Sequence, residues 1–61
     1  MRQIQIGDLV AVYAQGYNGS VCEVTDISYP QDSDIAMIEI NGADYVSAEC
    51  IELVETSLNS N

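Results

Sequence analysis

The sequence predicts a single small all-β domain: five short strands closed as a barrel, with a short 3-10 turn before the last strand. Three observations carry this expectation. Short runs rich in Val, Ile and Tyr recur along the 61 residues with turn-forming residues between them. Asn41-Gly42 sits between two such runs, and that dipeptide is the strongest short hairpin signal because a type I′ turn needs positive φ at both central positions. The segment Ile51-Glu52-Leu53-Val54-Glu55 alternates apolar and polar residues, as a half-buried strand does. The domain is expected over residues 1–55, followed by a polar, flexible tail over 56–61.

The first strand is expected over Asp8–Ala14, with Val10 and Val12 on one face because successive side chains alternate sides. Gly16-Tyr17-Asn18-Gly19 then reads as a turn. The second strand runs from Ser20 to Tyr29. Its apolar residues Val21, Val24 and Ile27 fall three apart, so a β-bulge at Cys22-Glu23 is expected to turn both Val21 and Val24 inward. Residues 29–34 form a polar loop carrying Pro30, Asp32 and Asp34. The third strand, Ile35–Ile40, should point Ala36, Ile38 and Ile40 inward and pair with Ala43–Ser47 across the Asn41-Gly42 turn. Ser47-Ala48-Glu49-Cys50 is expected to form one 3-10 turn with Ser47 as a candidate N-cap, since about four residues are too few for an α-helix.

Charge narrows the function. Arg2 is the only basic residue against ten acids, a formal net charge of −9. Binding a phosphate backbone requires clustered Lys or Arg to displace counterions. Direct nucleic-acid binding is therefore not expected, and anionic membranes repel such a chain. A basic protein surface is the complementary partner. The opening Met-Arg-Gln-Ile-Gln-Ile lacks an apolar run of signal length, and no stretch approaches the roughly 20 residues of a membrane span. The expectation is a cytoplasmic protein with Cys22 and Cys50 reduced and partly buried; a disulfide between them is the alternative.

The segment from Gly7 to Ile27 resembles a KOW motif, the strand-turn-strand unit of many SH3-like barrels. The resemblance lies in Gly7-Asp8-Leu9-Val10-Ala11-Val12, then Gly16-Tyr17-Asn18-Gly19-Ser20-Val21, then Glu23-Val24 and Ile27. Residues 41–46 and 51–54 resemble the later hairpin and closing strand of the same barrel. The resemblance implies a five-stranded SH3-like barrel. Members of this broad group contact nucleic acid, RNA polymerase or other proteins, and the nucleic-acid binders carry basic loops. Here the loop from Ala14 to Ser20 has no Lys or Arg, which points to a protein partner.

Tyr13, Tyr17, Tyr29 and Tyr45 are the only aromatic residues. Tyr13, Tyr17 and Tyr29 flank the first two loops and, with Asp32 and Asp34 beside them, are the candidate interaction surface: aromatic faces for contact and carboxylates for a basic ligand group. The competing expectation is that the tyrosines cover barrel ends and cross-strand gaps. Asp26, Asp32 and Asp34 supply oxygen ligands in principle, but the loop lacks the glycine and closing glutamate of a calcium-binding EF-hand, so no metal or other cofactor is expected. Glu49, Glu52 and Glu55 add to the acidic surface.

Catalysis has little chemical support. The chain has no histidine, no lysine and no phosphate-binding glycine loop, and a cysteine nucleophile needs a base or a cationic neighbour. The function expected from sequence is therefore a small acidic protein-interaction module, not an enzyme. The alternative is a nucleic-acid mimic that blocks a basic DNA- or RNA-binding protein through its dense carboxylates. Ile35 and Met37 are expected to face outward beside Tyr45, a patch suited to a homodimer.

Overall fold

The structure, a computed structural model, describes residues 4–57. Five antiparallel strands form one sheet in the order β4-β3-β2-β1-β5. They are β1 (Leu9–Val12), β2 (Ser20–Ser28), β3 (Met37–Ile40), β4 (Asp44–Ser47) and β5 (Ile51–Glu55), with one 3-10 turn at Ala48–Cys50 between β4 and β5. The hydrogen-bonded ladder is open: β4 and β5 are its two edges.

The nine-residue β2 is the hinge of the architecture. Its first half pairs with β1, from Ser20 opposite Val12 to Glu23 opposite Leu9. Its second half pairs with β3, from Val24 opposite Ile40 to Ser28 opposite Met37. One strand thus serves two pairs of strands, and both halves share one core. That core is Val10, Val12, Cys22, Val24, Ile38, Ile40 and Val46, with Ile27, Ala36, Ile51 and Leu53 packed against it.

The register shifts between Val24 and Asp26, which places the bulge at Thr25. This corrects the expected bulge at Cys22-Glu23. Val21 is 56 % exposed, while Cys22 and Val24 are buried. Cys22 counts as an apolar core residue here, so plain alternation holds through Val24. The extra residue at Thr25 then lets Ile27 face Ile38 on the same side. Thr25 Oγ1 fastens the bulge: it accepts from Gly42 N–H at 2.8 Å and lies within hydrogen-bond distance of the carbonyl oxygen (3.2 Å) and carboxylate (2.9 Å) of Glu39.

The β3–β4 hairpin turns as the sequence predicts. Asn41 and Gly42 have φ of 55° and 68°, and Ala43 N–H donates to Ile40 O at 3.0 Å. The turn also leans on β2. Asn41 N–H donates to Glu23 O, and its side-chain oxygen accepts from Glu23 N–H. Ser47 caps the 3-10 turn, its hydroxyl accepting from Glu49 N–H at 3.1 Å. Ala48 N–H reaches across to Ala36 O at 2.9 Å, which ties this turn to the approach to β3.

Asp8 is fully buried. Its carboxylate accepts from Gln5 N–H through Oδ2 and from Ser57 N–H through Oδ1, each at 2.8 Å. One side chain thereby joins the segment before β1 to the segment after β5. Of the tail expected over 56–61, Thr56 and Ser57 are half-buried and Ser57 is held by this bond; residues 58–61 lie outside the described residues.

Among the described residues no helix is long and apolar enough to cross a membrane. Both cysteines are free thiols, Cys22 buried and Cys50 half-buried.

Candidate functional site

Arg2, the only basic residue, lies outside the described residues, so residues 4–57 contain no Lys, Arg or His side chain. Among the described residues, three carboxylates are met by tyrosine hydroxyls. Tyr45 donates to Asp26 at 2.6 Å, Tyr17 donates to Asp44, and Tyr13 reaches Glu52 at 3.4 Å. The Asp26 bond follows from the register: Tyr45 lies opposite Glu39, and Glu39 lies opposite Asp26, so all three share one face. The hydrogen bond to Asp26, then desolvation and the negative charges of Asp26 and Glu39, push the Tyr45 hydroxyl up to about 12. Tyr17 is raised for the same reasons, with its Asp44 bond the largest cause.

These bonds sort the candidate residues. Tyr13 is exposed, its hydroxyl directed to β5 and its ring over Gly19, where an added Cβ would meet the ring at 3.1 Å. Tyr17 is half-buried, packed against the core and tied to the start of β4. Tyr29 is 69 % exposed, and its hydroxyl has no hydrogen-bond partner among the described residues. Asp32 and Asp34 are exposed in the loop between β2 and β3.

Tyr29 and Asp34 border one groove of about 440 Å³. Its walls and floor are apolar: Ile4, Ile27, Ile35, Ala36, Ile38 and Ala48. Glu49 stands on the rim, presented by the Ser47-capped 3-10 turn. The 3-10 turn and the β2–β3 loop are held to each other by the Ala48–Ala36 backbone bond, which fixes one wall against the other. The volume falls within the usual range for small-ligand sites, roughly 300–1,000 Å³, and suits one or two side chains.

Tyr13, Tyr17 and Asp32 do not line this groove. Ile35 does, from the loop before β3 rather than from the outward strand face expected beside Tyr45. Met37 keeps the expected face, opposite Ser47 and away from buried Ile38. Sequence reasoning missed Ile4, Ala48 and Glu49 as groove residues. Ser47 as an N-cap was the available signal, because it orients the short turn that presents them.

Comparison with protein families, with curated proteins and with solved structures finds no match. Function therefore rests on the geometry. That geometry offers an apolar trough with acidic edges and one unpartnered phenol. Among the described residues no three His, Cys, Asp or Glu side chains are placed to hold a metal ion.

Proposed function

We propose that this chain is a non-catalytic protein-interaction module, built as an SH3-like barrel of the KOW type, that docks on a partner protein with a basic surface. The observation that carries this reading is the groove. It joins an apolar floor to exposed carboxylates on a body whose described residues contain no balancing cation. Interfaces of this make-up gain affinity from the desolvated apolar centre and partner selection from the charged rim.

The barrel reading is supported by the strand order, by a bulged β2 shared between two strand pairs, and by a 3-10 turn leading into the last strand. The non-catalytic reading is supported by the lack of His and Lys. Free thiols are in keeping with a cytoplasmic setting. A second copy carries the same excess of negative charge, so a different, basic partner is favoured over self-association.

The test is retention of purified proteins on the immobilised chain, using a panel of basic and neutral proteins of similar size at about 0.1 M and 0.5 M salt. The module reading expects a subset of the basic proteins to be retained and to stay bound at the higher salt. Equal retention of every basic protein, lost at the higher salt, fits the charge-mimic alternative. Retention of none overturns the proposal.

A further inference from the structure

Resting on that reading, we infer that the groove between the β2–β3 loop and the 3-10 turn takes an arginine or lysine side chain together with a neighbouring aliphatic one, both from an extended segment of the partner. The walls and the rim ask for different chemistry, and such a pair supplies both. Ile27, Ile38 and Ala48 are among its apolar lining, and Ile38 is itself almost wholly buried. An aliphatic side chain placed there leaves water for an apolar surface. The rim carries Asp34 and Glu49, both exposed, one on each wall. A long basic side chain lies its methylenes along apolar surface while its cation stays at the edge, which is the geometry these two carboxylates offer.

Tyr29 strengthens the assignment. The hydroxyls of Tyr13, Tyr17 and Tyr45 are each committed to a carboxylate within the fold, whereas that of Tyr29 is uncommitted. Its exposed ring at the groove edge is placed to receive a guanidinium or ammonium over its face. An acidic or neutral occupant leaves Asp34 and Glu49 unanswered, and a second copy of the chain brings further carboxylates to the same edge.

The experiment is an NMR titration of the isotope-labelled chain with a hexapeptide alternating leucine and arginine, and with its citrulline counterpart, which keeps the shape and removes the charge. Three proteins are compared: the natural chain, the double variant D34N/E49Q, and a charge-matched double variant E23Q/E52Q altered away from the groove. All four positions are exposed, so the fold is retained. The expected result is shift changes centred on Ile27, Tyr29, Ile35 and Ala48. D34N/E49Q weakens binding about fivefold, E23Q/E52Q less than about twofold, and the citrulline peptide binds about fivefold more weakly than the arginine one. Shift changes centred elsewhere, or equal losses in the two double variants, overturn the groove assignment and leave the basic-partner proposal standing. Binding of neither peptide also overturns the assignment, while the proposed function is decided separately by the protein-retention panel.

Discussion

Ser57 N–H donates to the carboxylate of Asp8 across a sequence separation of 49 residues, and that carboxylate is fully buried. The same group accepts from Gln5 N–H. Removing it orphans two partly buried donors. Asp8→Ala is expected to destabilise the fold by about 2–4 kcal/mol, and Asp8→Asn by about 1–3 because the amide keeps the shape and only one acceptor oxygen. A domain of this size has a total of only about 3–9 kcal/mol. Urea unfolding measures the loss, and hydrogen exchange should show the Ser57 amide among the most affected. An unchanged midpoint for Asp8→Ala would show that the clasp contributes nothing.

Thr25 holds the bulge that lets β2 serve both halves of the sheet. Thr25→Val keeps the branched shape but leaves Gly42 N–H without its acceptor. The expected loss is about 1–3 kcal/mol, with Thr25→Ser recovering most of it. If Val and Ser variants unfold at the same urea concentration, the hydroxyl is not the fastener.

Alkaline stability tests the Tyr45–Asp26 bond. The folded-state pKa of Tyr45, about 12, lies above its ordinary value of 10.0. The neutral phenol is therefore favoured by folding. This contribution is fully present below pH 10 and is lost as pH rises from about 10 toward 12. The melting temperature should fall across that window, and the fall should be shallower in Tyr45→Phe. Parallel curves for the two proteins would remove this bond as a source of alkaline sensitivity.

The thiols should differ in reach. Cys22 is 3 % exposed within the core and Cys50 is half-buried. Native-state alkylation followed by mass spectrometry should add one label, at Cys50, and a second only in denaturant. Equal labelling of both under native conditions would contradict the packing of Cys22.

Much of the fold is legible in local sequence because its determinants are local. Asn41-Gly42 encodes positive φ at two adjacent residues, Ser47 encodes a cap, and Val10, Val12, Ile38 and Ile40 encode faces by alternation. The position of the β2 bulge is not legible from the three-residue spacing of Val21, Val24 and Ile27, which is prominent only when Cys22 is left out of the apolar set. Counting Cys22 gives inward residues 22, 24 and 27, and the extra residue falls at Thr25. The roles of Asp8 and of the groove depend on tertiary placement. Asp8 meets donors at both ends of the described chain, and the groove gathers Ile4, the β2–β3 loop and the 3-10 turn. Of the five candidate residues, Tyr29 and Asp34 share that groove, whereas Tyr13 and Tyr17 direct their hydroxyls to carboxylates of the fold.

The most direct test of an acidic interaction module is the salt dependence of its binding to a panel of purified basic proteins, compared between the natural chain and D34N/E49Q. Docking through the groove predicts selective binding that weakens but persists at about 0.5 M salt and is reduced in the double variant. Binding that is equal for all basic proteins, disappears with salt and ignores the double substitution would contradict it.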